Sequence, residues 1–185
     1  FGYAAGKVIE SFTTFYREYP KVIAQFHEWM TGMGVLYLEE HAPWITTSFT
    51  THAAVLGRSI AGNNRKLYSR LKEFSPEQTA HEFNVISKQS LERISAEQAD
   101  VFTTVSEITG RECEAFLGKK PDIITPNGFE DSFVPAAEEF DEARKAARDK
   151  LLSVAGALLG QELPEDTLLI STSGRYEYRN KGIDL

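Results

Sequence analysis

Cysteine is almost absent from this chain. Cys113 is the only one in 185 residues, so no disulfide can form within the chain and no thiolate-rich zinc site can be built from it. That points to a reducing compartment, the cytoplasm by default. Long apolar runs are missing too: nothing approaches the roughly 18 consecutive apolar residues of a membrane-spanning helix, and the first residues lack the basic-then-apolar layout of a signal peptide. Positive charge is in deficit. With 20 Lys and Arg against 27 Asp and Glu the formal charge is −7, the wrong sign for a surface that grips nucleic acid, so any basic site has to be local. No repeat of fixed period and no low-complexity tract is present. His27-Glu28 is not followed by a second His four positions after the first, and no Asp-x-Asp pair occurs, so no metal site is expected.

What is there is the material of a soluble globular protein, with 42% hydrophobic residues and enough length to bury a core. The first residue is Phe1, and the last apolar run, LLIST at 168–172, arrives with almost nothing after it to pack against. The chain therefore reads as an excerpt of a longer protein. Short apolar runs alternate with helical stretches. Residues 7–19 read as the end of a helix closed by Pro20, KVIAQF at 21–26 as a buried strand, 29–40 as a helix, and WITTSFTT at 44–51 as a second strand rich in β-branched and aromatic residues. Ser75-Pro76-Glu77-Gln78 opens a helix, with a Ser cap and Pro in the first turn, that is expected to run to Gln98. VFTTV at 101–105 is a third strand, Ser106 caps a helix that Gly118 ends, and IIT at 123–125 is a fourth short strand.

This alternation predicts right-handed βαβ units and an α/β, doubly wound parallel sheet with helices on both faces. After Pro126-Asn127-Gly128 the texture changes. Residues 129–142 are acidic and loop-like, and a helix then places Phe140, Ala143, Ala147, Leu151, Val154 and Leu158 on one face before the expected final strand at 168–172. A domain boundary near residue 131 follows, dividing the chain into 1–131 and 132–185.

The polar residues fall in a pattern. KVIAQF runs into His27 and Glu28, WITTSFTT into His52, VFTTV into Ser106, IITP into Asn127 and Gly128, and LLISTS into Gly174 and Arg175. In a parallel sheet the carboxyl ends of the strands share one edge, and that edge is where such folds bind ligands. His41 and His81 fall in or near helices and read as surface or packing residues. Glu28, at a helix start, is either a carboxylate favoured by the macrodipole or a ligand contact. Gly32-Met33-Gly34 imitates a dinucleotide fingerprint, but no third glycine follows in place and the pair lies inside a helix, so no dinucleotide cofactor is expected. At the far end, SGRYEYRNKG at 173–182 puts Arg175 and Lys181 between two glycines. A guanidinium fork and an ammonium there suit phosphate oxygens and can stabilise a departing diphosphate without a metal. The alternative is a pairing of Arg175 with Glu177 or a helix carboxylate.

HEW at 27–29, TTHAAVLGR at 50–58, VFTTVSEIT at 101–109, KKPDIITPNG at 119–128 and GRYEYRNKG at 174–182 together closely resemble the glycogen synthase family of the animal and fungal type. Order and approximate spacing match over essentially the whole chain. The resemblance implies a two-domain GT-B glycosyltransferase with two Rossmann-like domains facing across a cleft. It implies retaining, metal-independent transfer of glucose from UDP-glucose to the non-reducing end of an α-1,4-glucan, with no cofactor. It also implies that residues 1–131 are the later part of the first domain and 132–185 a linker helix and the start of the donor-nucleotide-binding domain. The glycine-rich donor loop, the catalytic glutamate segment, the nucleotide-base pocket and the allosteric arginine cluster of eukaryotic members would lie outside this chain.

Carried over by resemblance, Arg175 and Lys181 clasp the donor pyrophosphate after the turn at Gly174. His52 lines the face of the transferred glucose, Arg58 supports the donor side, and Asn127 lies near the sugar. His27 and Glu28 border the donor and acceptor subsites. The implied partners are UDP-glucose, or ADP-glucose, and an α-glucan, with neither nucleic acid nor membrane; a homo-oligomer is left open. The sequence departs from the eukaryotic pattern at 61–79, which lacks an aromatic and acidic loop, and at 129–142, which is acidic where the family is basic. A bacterial-type member is therefore expected. Two classes remain: a glucan-synthesising transferase, inactive as these 185 residues alone, and a noncatalytic carbohydrate- or nucleotide-binding module on the same scaffold.

Overall fold

The structure, a computed structural model, describes residues 1–16, 21–175, 178 and 183. The chain divides into two compact units, Phe1–Asn127 and Gly128–Leu185. In chain order the first unit contains α1 (Gly2–Phe15), β1 (Ile23–His27), α2 (Glu28–His41), β2 (Thr46–Thr51) and α3 (Val55–Gly62). A 3-10 turn (Tyr68–Glu73), α4 (Pro76–Glu82), α5 (Ile86–Gln98), β3 (Val101–Thr104), α6 (Glu107–Leu117) and β4 (Ile123–Ile124) follow. The second unit contains a 3-10 turn (Asp131–Phe133) and α7 (Phe140–Leu159). Among the described residues no helix is long and apolar enough to cross a membrane.

The four strands form one parallel sheet in the order β1-β2-β3-β4, with Phe26 beside Phe49 and Phe49 beside Phe102. The α/β class and the parallel sheet are as the sequence implies. Strand alternation then sorts the faces. Ala24, Phe26, Phe49 and Phe102 share a core with Val35, Tyr37 and Leu38 of α2, Ala96 of α5, and Cys113 and Leu117 of α6. On the opposite face Ile23 is 71% and Ile123 55% exposed. Within the first unit, α2, α5 and α6 thus pack over one face of the sheet. Strands laid down in sequential order by crossovers of one hand put successive helices on the same side, and the described residues of this unit supply no helix layer on the other face.

Local signals explain most boundaries. The Ser75 hydroxyl accepts from the Gln78 amide and Ser106 from the Thr109 amide, while Gly118 ends α6 at φ +71°. Two expectations need correction. The single helix from Ser75 to Gln98 is two, because Asn84 takes φ +54° and breaks it, a conformation Asn tolerates better than most residues. The break lets Phe83 and Val85 pack with Ala80 against Ile60, Leu67 and Phe116 in a second core. The run 168–172 forms no strand; Leu168 and Ile170 are 80% and 87% exposed, and among the described residues no neighbouring strand pairs with it. The apolar face of α7 is open to solvent, with Phe140, Leu151, Val154 and Leu158 exposed and Leu152 the buried residue of that helix.

Gly34 shows how tightly α2 meets β1. A Cβ there would stand 2.2 Å from the Phe26 ring, itself 4% exposed. Overpacking of this kind costs about 1–3 kcal/mol and outweighs the roughly 1 kcal/mol helix-propensity gain of alanine. Gly34→Ala is therefore expected to lower the urea midpoint of the chain; an unchanged or higher midpoint would show that the ring yields freely.

Candidate functional site at the carboxyl edge of the sheet

β1 passes into α2 without a loop. His27 is both the last strand residue and the N-cap, and Glu28, the first helical residue, sits at φ +64°. A non-glycine residue held there is strained, and such strain persists only where the surroundings enforce it. Those surroundings are visible: the Glu28 Oε1 accepts the His52 backbone N–H at 3.1 Å and the Arg58 guanidinium at 3.2 Å. The register that pairs His27 with Thr50 brings His52 beside it, and His27 Nδ1 lies 3.0 Å from His52 Nε2, with the rings stacked at 5.3 Å. That contact needs a lone pair on one of the two nitrogens. The Arg58 side chain is half exposed, so its ion pair with Glu28 adds at most about 1 kcal/mol of stability. Its consequence is positional: the guanidinium is held at the mouth of the site.

Beneath this layer lie two buried acids that the sequence reading did not single out. Glu92 of α5 is fully buried; its Oε1 accepts the Thr51 hydroxyl and its Oε2 the Val55 amide, each at 2.9 Å. Burial pushes its carboxyl up to about 7, against the opposing pull of the Val55 amide and Thr51 hydroxyl; nearby Glu28 adds to the rise and Arg58 opposes it. Glu112 of α6 is 4% exposed and takes a 2.8 Å bond from the Tyr68 hydroxyl. Its carboxyl is also raised, by burial first, against Tyr68, the Ala54 amide and Arg58. The Ala54 amide stops short of a hydrogen bond, and Glu112 Oε2 has no partner among the described residues. That oxygen lies so close over Gly57 that an added Cβ would come within 2.1 Å. The sequence did carry a signal: Gln89, Glu92, Ser95 and Ala96 form one buried face of α5, and an acid on a buried face requires a partner.

The remaining expected residues separate. Asn127 lies just beyond β4, two strands from β2 at the same edge, and is exposed. Ser106 is occupied in capping α6. His41 stacks on Tyr37 at 4.2 Å and His81 is exposed on α4. In the second unit Gly174 takes φ +145°, a region that favours glycine, and Arg175 follows it at the surface. Lys181 lies outside the described residues.

A parallel α/β sheet whose imidazole, carboxylate and guanidinium groups gather at the carboxyl ends of adjacent strands is the architecture of Rossmann-like ligand-binding proteins. The glycogen synthase family model matches residues 1–185. The glycogen [starch] synthase of Neurospora crassa is 36% identical over 188 residues, covering 100% of this chain and 26% of that protein. That of Caenorhabditis elegans is 38% identical over 169 residues (90% of this chain, 25% of the relative), and the human liver glycogen [starch] synthase 39% over 168 (89% and 24%). The chain belongs to the glycogen synthase family, and it spans about a quarter of the length of these relatives.

Proposed function

We propose that this chain is part of a retaining glycosyltransferase that moves glucose from UDP-glucose to the non-reducing end of an α-1,4-glucan, as in glycogen synthesis. The observation that carries the reading is the gathering of His27, Glu28, His52 and Arg58 at the carboxyl ends of β1 and β2, in a chain matched by the family along its whole length. In this reading residues 1–131 are the later part of the first GT-B domain and 132–185 the linker helix and opening of the second. His52 faces the transferred glucose, Arg58 supports the donor side, His27 borders the donor and acceptor subsites, and Asn127 stands near the sugar. Glu28 acts by holding His52 and Arg58, since its carboxylate is already engaged by both. Arg175 and Lys181 take the pyrophosphate. The departures at 61–79 and 129–142 support a bacterial-type member, and the single cysteine favours the cytoplasm.

The chemistry asks for such groups. Breaking a glycosyl–phosphate bond leaves an oxocarbenium-like sugar and a negatively charged leaving group, so fixed donors and cations that interact more strongly as charge separates lower the barrier. Attack comes from the leaving-group face, with the departing phosphate helping to deprotonate the acceptor hydroxyl. The test is His52→Ala in the full-length protein that contains this chain. Transfer is expected to fall on the order of 10²-fold with folding retained. Wild-type turnover in that variant would remove the strand-end cluster from the reaction. ADP-glucose as the better donor would move the specificity while leaving the site in place.

A further inference from the structure

Three residues, His52 to Ala54, connect β2 to α3, and their setting is tied at every side. The Thr51 carbonyl accepts the Thr104 hydroxyl at 2.7 Å, the His52 amide goes to Glu28, and the Ala54 carbonyl accepts the Arg58 amide at 3.0 Å. Helix α3 has no cap of its own, because Ala54 offers no side-chain acceptor. The cap comes instead from Glu92, 37 residues along the chain from Val55. One carboxylate thereby holds the last residue of β2 through Oε1 and the first residue of α3 through Oε2. A Ser at position 54 would cap α3 locally without burying a carboxylate, but it would not span the turn.

We propose that Glu92 is a positioning residue for the transfer reaction: by bridging Thr51 and Val55 it fixes the turn that carries His52 against His27 and sets the root of Arg58. The inference rests on the reading of the strand-end cluster as the sugar-facing side. It does not require Glu92 to touch substrate. Two layers of acid then hold the turn, Glu28 from the side of the site and Glu92 from the core, and the imidazole pair sits above them.

The test compares Glu92→Asp, whose carboxylate is one methylene too short to reach both partners, with Glu92→Gln, which retains both: its carbonyl accepts the Val55 amide and its NH2 donates to the Thr51 hydroxyl oxygen. Thr51→Val breaks the bridge from the other end, so the test survives if Glu92→Asp does not fold. Leu117→Ala, in the core but away from the turn, controls for lost stability. Glucose transfer and the ring nitrogen resonances of His27 and His52 are both measured in the full-length protein that contains this chain. Glu92→Asp and Thr51→Val are expected to shift those resonances and lower kcat about tenfold or more with the KM for glucan unchanged, as misplacement of a reacting group does. Glu92→Gln and Leu117→Ala should stay within about threefold of wild type in kcat and leave the resonances in place. Unchanged resonances in Glu92→Asp and Thr51→Val, or a loss in Leu117→Ala equal to theirs, would overturn the proposal. If the wild-type protein transfers no glucose, the functional reading fails while the histidine resonances still decide whether Glu92 orders the turn.

Discussion

Alanine at Arg175 or at Lys181 is expected to lower glucose transfer by the full-length protein on the order of 10²-fold or more, with the loss in kcat rather than KM. The diphosphate carries more negative charge as the glycosyl bond stretches than it does in the bound donor. A cation fixed beside it therefore interacts more strongly with the transition state than with the ground state, and its removal appears in turnover. The turn at Gly174, with φ +145°, sets the backbone direction immediately before Arg175. Arg175→Lys should recover little of the loss, because an ammonium cannot offer two parallel hydrogen bonds to phosphate oxygens. Steady-state kinetics of the single variants, with folding confirmed by thermal melts, decide it. A rise in KM alone, or a loss below about threefold, would make this segment a surface feature and not a leaving-group clasp.

The second large effect is on stability, and it depends on pH. The Glu92 carboxyl rises from 4.5 to about 7 in the folded chain, so the fold binds that proton more tightly than the unfolded chain does. Its stabilising contribution is fully present below the unfolded value of 4.5, declines as pH rises, and is gone once pH has passed through the folded value near 7. By linkage the swing is about 3 kcal/mol. Glu112, raised in the same direction by burial, adds to the decline. Glu92→Gln resembles the protonated acid, with one acceptor for Val55 and one donor toward Thr51, and does not titrate. Urea denaturation of wild type and Glu92→Gln between pH 5 and pH 8 should therefore show the variant gaining on wild type as pH rises, by about 2.5 kcal/mol over that range. Parallel curves would mean that Glu92 titrates as an ordinary surface carboxyl does.

How far the sequence could be read depended on whether the controlling interaction was local. Ser75, Ser106 and Gly118 act within one turn of themselves, and the helix ends they mark stand where the sequence places them. β-branched and aromatic runs located the four strands of the sheet. Helix α3 was not legible because Glu92, not a neighbour, caps it. The Asn84 break was missed because the 3.6-residue period continues across it, while the packing of Phe83 and Val85 depends on a core assembled from distant segments. The residues 168–172 have the composition of a strand, but a strand also needs a partner to pair with.

The site divides the same way. That His27, Glu28 and His52 lie at strand ends follows from the strand assignments. That the two rings touch follows from the pairing of His27 with Thr50, a register that only the assembled sheet fixes. The sequence left Glu28 between a helix-start carboxylate and a ligand contact; the positive φ and its two bonds, to His52 and Arg58, explain why this acid stands at the turn.

The most direct assay offers labelled glucose from UDP-glucose, and in parallel from ADP-glucose, with glycogen to the full-length protein that contains this chain. Label is expected in the glucan as new α-1,4-linked units, formed with retention and without added metal. Binding of nucleotide sugar or glucan with no transfer from either donor would contradict the transferase reading, and would leave the cluster of His27, Glu28, His52 and Arg58 as the floor of a binding module.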